Sequence, residues 1–227
     1  MNQPNSSISK LKIIPVVEGD IDPLKSDVCF TKPEMLKVCF PVLLDGDLVM
    51  STEHLGVGYL AAILRQLSID VKIVEVKDDS EAIKDICNYN PHLIAFSLTM
   101  VTVSHATSFG LALKEALPNV EFLAGGPLAT FLGSKLLKIP KWNFVGALVR
   151  GEGDIAIVRF VERFWTNRDY SDVPNLSYIN EKEDLIDNPI GAPIADLDLL
   201  PVPVRDQFEF HRGKLPYIRL ATTRGCT

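Results

Sequence analysis

Several stretches of this chain gather small residues, hydroxyls and backbone donors where a ligand could be held. Ser97-Leu98-Thr99, Gly125-Gly126-Pro127 and Arg150-Gly151-Glu152-Gly153-Asp154 each follow an apolar run and precede a run with helical spacing. Glycine lets a bulky ligand approach the backbone, and the start of a helix offers free N–H groups. Residues 45–53 form another such loop. At the far end of the sequence stands Thr222-Thr223-Arg224-Gly225-Cys226. A thiolate there is the kind of group that ligates the iron of an iron–sulfur cluster. Each stretch also has a plainer use. Gly125-Gly126 suits a tight strand-to-helix turn, Ser97 and Thr99 suit helix caps, and Gly151-Glu152-Gly153 suits a helix entry.

The elements that would position these loops follow from hydrophobic periodicity. Strands are predicted over 38–44, 71–76, 93–98, 120–124 and 144–149. Helices are predicted over 54–67, 80–89, 104–117, 127–137 and 154–165. The inward residues are Tyr59, Leu60, Ile63 and Leu67 in the first helix, then Ala82, Ile83, Ile86 and Cys87. In the third they are Ala106, Phe109, Leu113 and Ala116. Pro127 suits a first helical turn, whereas Pro41 is a blemish inside a strand. Strands alternating with helices imply right-handed βαβ units and a parallel sheet covered on both faces. The expected fold is α/β, a doubly wound Rossmann-like (flavodoxin-like) sheet of five parallel strands in the order 2-1-3-4-5.

The chain divides into an irregular extension over 1–34, with a short strand at 11–17, and the Rossmann-like domain over 35–170. A hairpin (176–179 and 185–186) and a Pro-rich extended linker occupy 171–210, and 211–227 begin something further. In such a sheet ligands bind beyond the carboxyl ends of the strands, where the loops named above fall.

Composition narrows the function. Hydrophobic residues make up 47% and charged residues 23% of 227 residues, as in an ordinary globular protein. A net charge of −6, with no basic stripe, argues against nucleic acid as a partner. The apolar runs are too short to span a membrane, and the polar N-terminus lacks the pattern of a signal peptide. Cys29, Cys39, Cys87 and Cys226 have no metal or redox spacing. Cys39 and Cys87 read as buried, inert thiols and the compartment as a reducing cytoplasm. His92, His105 and His211 show no metal spacing, and His54 reads as a helix-start residue.

These loops, in this order, resemble the cobalamin-binding domain of cobalamin-dependent radical S-adenosylmethionine (radical SAM) enzymes. The helix beginning Gly56-Val57-Gly58-Tyr59, the Leu197-Asp198-Leu199-Leu200-Pro201-Val202-Pro203 linker and the run into Arg224-Gly225-Cys226 share in the likeness. It covers residues 36–227. The resemblance implies that Ser97, Leu98 and Thr99 line a groove for the dimethylbenzimidazole nucleotide tail. It implies that Gly125, Gly126 and Pro127 let the tail and corrin edge pass the backbone, and that Gly151, Glu152 and Gly153 meet corrin amides. Cys226 would be the first cysteine of a CxxxCxxC triplet binding a 4Fe–4S cluster. On this reading the chain is the front part of a larger enzyme, such as a methyltransferase, and is catalytically incomplete. Cobalamin is its own cofactor, while the cluster and S-adenosylmethionine belong to the full-length enzyme. The Asp-x-His-x-x-Gly loop of mutases is absent, since Thr52 precedes His54 where Asp would stand and Val57 follows where Gly would.

A rival pattern exists. Gly56-Val57-Gly58-Tyr59-Leu60-Ala61 formally fits GxGxxG/A, with Glu75 19 residues after Gly56. A dinucleotide site needs its first glycine at the tip of the first strand. Here eleven residues, 45–55, intervene. The alternative function is therefore a stand-alone flavodoxin-like module that binds a nucleotide or a regulatory partner.

Overall fold

The computed structural model describes residues 22–43, 54–205, 220, 221, 223 and 224. The expected strand at 11–17, the loop 45–53 and Cys226 lie outside the described residues. The described chain alternates strands and helices: β1 (Lys37–Leu43), α1 (Leu55–Gln66), β2 (Asp70–Val76), α2 (Asp79–Tyr89), β3 (Leu93–Ser97), α3 (Val103–Ala116), β4 (Glu121–Gly125), α4 (Pro127–Leu132), β5 (Ala147–Val149) and α5 (Asp154–Trp165). β6 (Leu176–Ile179) and β7 (Leu185–Asp187) follow.

One sheet holds all seven strands in the order β2-β1-β3-β4-β5-β6-β7. The first five run parallel in the anticipated 2-1-3-4-5 order. The hairpin is not a separate appendage. β6 pairs antiparallel with β5, and β7 with β6, so the sheet is mixed and larger than the sequence reading. Leu176 and Ser177 are fully buried by that docking. Asn188 fastens it from below, donating to the carbonyls of Tyr170 and Val173 at 2.7 and 2.8 Å. Pro41 stands inside β1 in register with Val74 of β2, beyond Val38 and Cys39, which pair with β3.

Alternate strand residues build two cores. Val38, Phe40, Val42, Ala95, Leu123 and Val149 face the side covered by α1 and α5. Cys39, Ile94, Phe96, Phe122, Ala124 and Leu148 face the side covered by α2, α3 and α4. The backbone over 22–34 is irregular, yet Leu24 and Phe30 pack into the α1/α5 core. In the linker, Val204 donates its N–H to the Gly58 carbonyl at 3.0 Å, and a Cβ on Gly58 would sit 2.9 Å from the Val204 oxygen. Gly58 thus admits the linker, and Gly56 has open space around it.

Other differences have local causes. The expected helix over 127–137 becomes α4 plus a 3-10 segment, because Gly133 takes a φ of +58° and ends the α-helix. β5 starts later than 144 because the Val145 N–H turns back to the Trp142 carbonyl. Ala116 is exposed and Cys87 half-buried, so neither is a core residue. Cys39 is fully buried, and burial pushes its thiol pKa well up.

Candidate functional site

On the α1/α5 side the sheet surface falls away toward its carboxyl edge. Ala95 and Ser97 on β3, and Gly125 at the end of β4, present little or no side chain. Phe40 and Leu123, level with Ala95, and Val149, level with Gly125, form the apolar floor and side of the space. The result is a pocket of about 370 Å³ between the sheet and the facing ends of α1 and α5. That volume lies in the range of drug-sized ligands. It suits a nucleotide-sized group.

Three of the anticipated loops meet here. Ser97, Gly125, Gly126, Pro127, Gly151, Glu152 and Gly153 all line the pocket. Thr130 ties the last two loops together. Its hydroxyl donates to the Gly126 carbonyl at 3.1 Å and accepts the Gly151 N–H at 2.8 Å. Gly151 needs its glycine, since its φ is +76°. Asn175 holds the same loop by donating to the Glu152 carbonyl at 2.8 Å.

Gly125 and Gly126 differ sharply. A Cβ on Gly125 would lie 4.0 Å from its nearest neighbours, Phe96 and Val149. Gly126 has a φ of +90°, and a Cβ there would meet both the N and O of Leu98 at 2.8 Å. Gly126 is therefore demanded by the backbone of the adjoining loop as well as by the pocket. Both uses offered by the sequence, a tight turn and a place beside the pocket, fall on this residue.

Leu98 and Thr99 do not line the pocket. Leu98 is fully buried in the α2/α3 core, with its N–H on the Gly125 carbonyl at 2.8 Å and its carbonyl accepting from Leu128 at 3.1 Å. Thr99 and Thr102 accept each other's backbone N–H at 3.2 Å, closing the turn before α3. Thr99 is thus part of the turn, while the N-cap position of α3 falls to Thr102. His54 occupies the N-cap position of α1.

Residues outside the expected cofactor set complete the walls. Tyr59 and Leu60, anticipated as core residues, are half-buried and face the pocket. α1 instead buries Val57, Ala61, Ala62 and Leu64 along with Ile63. Asp154, Ala221 and Arg224 line the pocket too. Asp154 is the first residue of α5, where a carboxylate is favoured by the helix dipole. It is buried and receives a hydrogen bond from Arg224. The period-two recurrence of small residues, Ala95 then Ser97, was the legible sign of a hollow. Arg224 had no local sign, because its partner lies 70 residues away.

The walls are mostly apolar. Glu152 is the exception without a partner: its Oε2 is buried and makes no hydrogen bond among the described residues. That oxygen is closed off from solvent and so does not open onto the hollow. The dinucleotide alternative lacks support. Gly56 and Gly58 lie within α1, whose Gly58 N–H is already bound to the His54 carbonyl at 3.0 Å.

The architecture is therefore an α/β domain with a small-residue pocket at the carboxyl edge of its parallel strands. Its sequence matches the B12 binding domain model over residues 44–161, and the chain belongs to that family. An uncharacterized methyltransferase of Pyrococcus horikoshii is 28% identical over 179 residues, 76% of this chain and 38% of the relative. Among solved structures, the cobalamin-dependent S-adenosylmethionine radical enzyme OxsB, with aqua-cobalamin and S-adenosylmethionine bound, superposes with a TM-score of 0.64. The identity is 14%, and the match covers 74% of this chain and 24% of OxsB. The radical S-adenosylmethionine methyltransferase TsrM from Kitasatospora setae gives 0.57 at 12% identity, covering 67% of this chain and 30% of TsrM. The chain thus spans well under half the length of these relatives.

Proposed function

We propose that this chain is the cobalamin-binding part of a radical SAM enzyme, with the nucleotide tail of cobalamin seated in the pocket between α1, α5 and the sheet. The observation that carries the reading is the hollow made by Ala95, Ser97 and Gly125 at the carboxyl edge, bordered by the Gly126 and Gly151 loops. Gly125, Gly126, Pro127, Gly151 and Gly153 leave backbone open to the passing tail and corrin edge. Ser97 offers a hydroxyl beside the tail. Leu98 and Thr99 serve indirectly, by fixing the loop that carries Ser97. When bound, cobalamin supplies a cobalt that carries a methyl group or positions a substrate.

On this reading residues 35–170 are the cobalamin domain and 171–210 the hairpin and linker. Residues 211–227 begin a radical SAM barrel, with Cys226 the first thiolate of a 4Fe–4S cluster. The cluster and S-adenosylmethionine belong to the longer enzyme, consistent with the fraction of each relative that this chain spans. We place the protein in the cytoplasm, with no nucleic acid or membrane partner. Among the described residues no helix is long and apolar enough to cross a membrane.

The test is direct. Folded chain mixed with hydroxocobalamin and passed over a gel-filtration column retains the corrin spectrum in base-off form. Complete loss of corrin from folded protein contradicts the reading. Anaerobic treatment with iron and sulfide leaves this chain without a stoichiometric cluster, since Cys39 is sealed in the core. A cluster that cleaves S-adenosylmethionine would overturn the view that these 227 residues are catalytically incomplete.

A further inference from the structure

We propose that Asp154, Arg224 and Tyr59 form a latch that seats the segment containing Ala221 and Arg224 as a wall of the pocket, so that docking of this segment and binding of a corrinoid strengthen each other. The ligand half of the proposal rests on the corrinoid reading; the latch itself does not.

Three observations converge. Asp154 is 4% exposed at the start of α5, and a buried carboxylate needs a charged or hydrogen-bonding partner. Arg224 supplies one from a distant part of the chain, donating to the Asp154 carboxylate through Nη1. The same guanidinium stacks over Tyr59 of α1, 4.9 Å from the ring centroid. One planar cation thereby joins the two helices that flank the pocket. Arginine suits the task because it can pair with a carboxylate at its edge and an aromatic ring on its face together. Ala221 and Arg224 then stand against the hollow itself. A ligand touching that wall binds better with the wall in place, and by linkage it holds the wall down by the same factor. The coupling reaches a functional end, since Cys226 follows Arg224 by only two positions.

Two measurements test this on the full chain. Without ligand, the Arg224 side-chain resonances, assigned by their loss in R224K, are shifted by the Tyr59 ring current in the wild type and move to random-coil positions in D154N. Unshifted Arg224 resonances in the wild type refute the latch. With ligand, titration of hydroxocobalamin gives about a tenfold loss of affinity in both D154N and R224M. The double variant is no weaker than either single, because both remove one interaction. Wild-type affinity in the single variants, or losses that simply add in the double, refutes the coupling. Circular dichroism and melting curves confirm that each variant is folded. Should the wild type bind no corrinoid, the proposed function fails while the resonance test still decides the latch.

Discussion

The two faces of this sheet are built from the same strands yet end differently. On the α2/α3/α4 side, buried Phe96, Leu98, Ala124 and Leu128 close the carboxyl end, and aromatic rings pack toward the amino end. Phe96 stacks on Phe122 at 6.3 Å, Phe122 meets Phe144 edge-on at 5.3 Å, and Trp142 stacks on Phe144 at 5.3 Å. α3 comes so close that a Cβ on Gly110 would lie 2.5 Å from the Phe144 ring. On the α1/α5 side, Ala95, Ser97 and Gly125 stand at the carboxyl end, and the sheet is hollow there. Neighbouring residues of one strand, Phe96 and Ser97, therefore serve opposite ends: one seals a core and the other opens a site. The contrast teaches that the pocket comes from what the side chains omit on one face.

Substitutions can break or sharpen that contrast. Phe122→Ala removes the centre of the aromatic stack and should cost about 3–5 kcal/mol in urea unfolding. A loss under about 1 kcal/mol would mean that face is not tightly packed. Gly126→Val combines a strained φ with backbone contacts at 2.8 Å, so it should cost about 3 kcal/mol. Gly125→Val, one residue earlier, has room for its methyls in the hollow. Its stability should stay within about 1 kcal/mol of wild type, while corrinoid affinity falls at least tenfold. Equal destabilisation by the two glycine variants would erase the distinction drawn between them.

The smallest effect lies away from both faces. A hydrogen bond from Arg163 holds the Asp172 carboxyl below its usual range, but Asp172 is 53% exposed. The pair should contribute well under about 1 kcal/mol. Because the folded value is depressed, that stability is present above the unfolded value near pH ~4. It is lost as pH falls through the folded value. Stability curves of wild type and Asp172→Asn should therefore differ slightly at pH 7 and converge in acid.

The five parallel strands and their order were legible because buried strands leave near-continuous apolar runs and the helices between them keep their period. Pairings made across the chain were not. β6 joins β5 through contacts that no local window contains, so the hairpin read as an appendage. The α1 stripe was misjudged because its helix serves three surfaces at once: sheet, pocket and the 203–204 linker. Tyr59 and Leu60 then face the hollow instead of the core. The glycine loops announced the carboxyl edge, yet composition could not separate Gly125, which borders space, from Gly126, which borders the Leu98 backbone. Thr99 likewise read as site or cap, and its bonds to Thr102 make it part of the turn.

The central claim is that the hollow holds the nucleotide tail of cobalamin, and comparing two corrinoids tests it most directly. Cobinamide has the corrin ring without the tail. Titrated separately into the wild-type chain, cobalamin should bind at least tenfold more tightly than cobinamide, and Gly125→Val should remove most of that preference. Equal affinities for the two in the wild type would contradict the account.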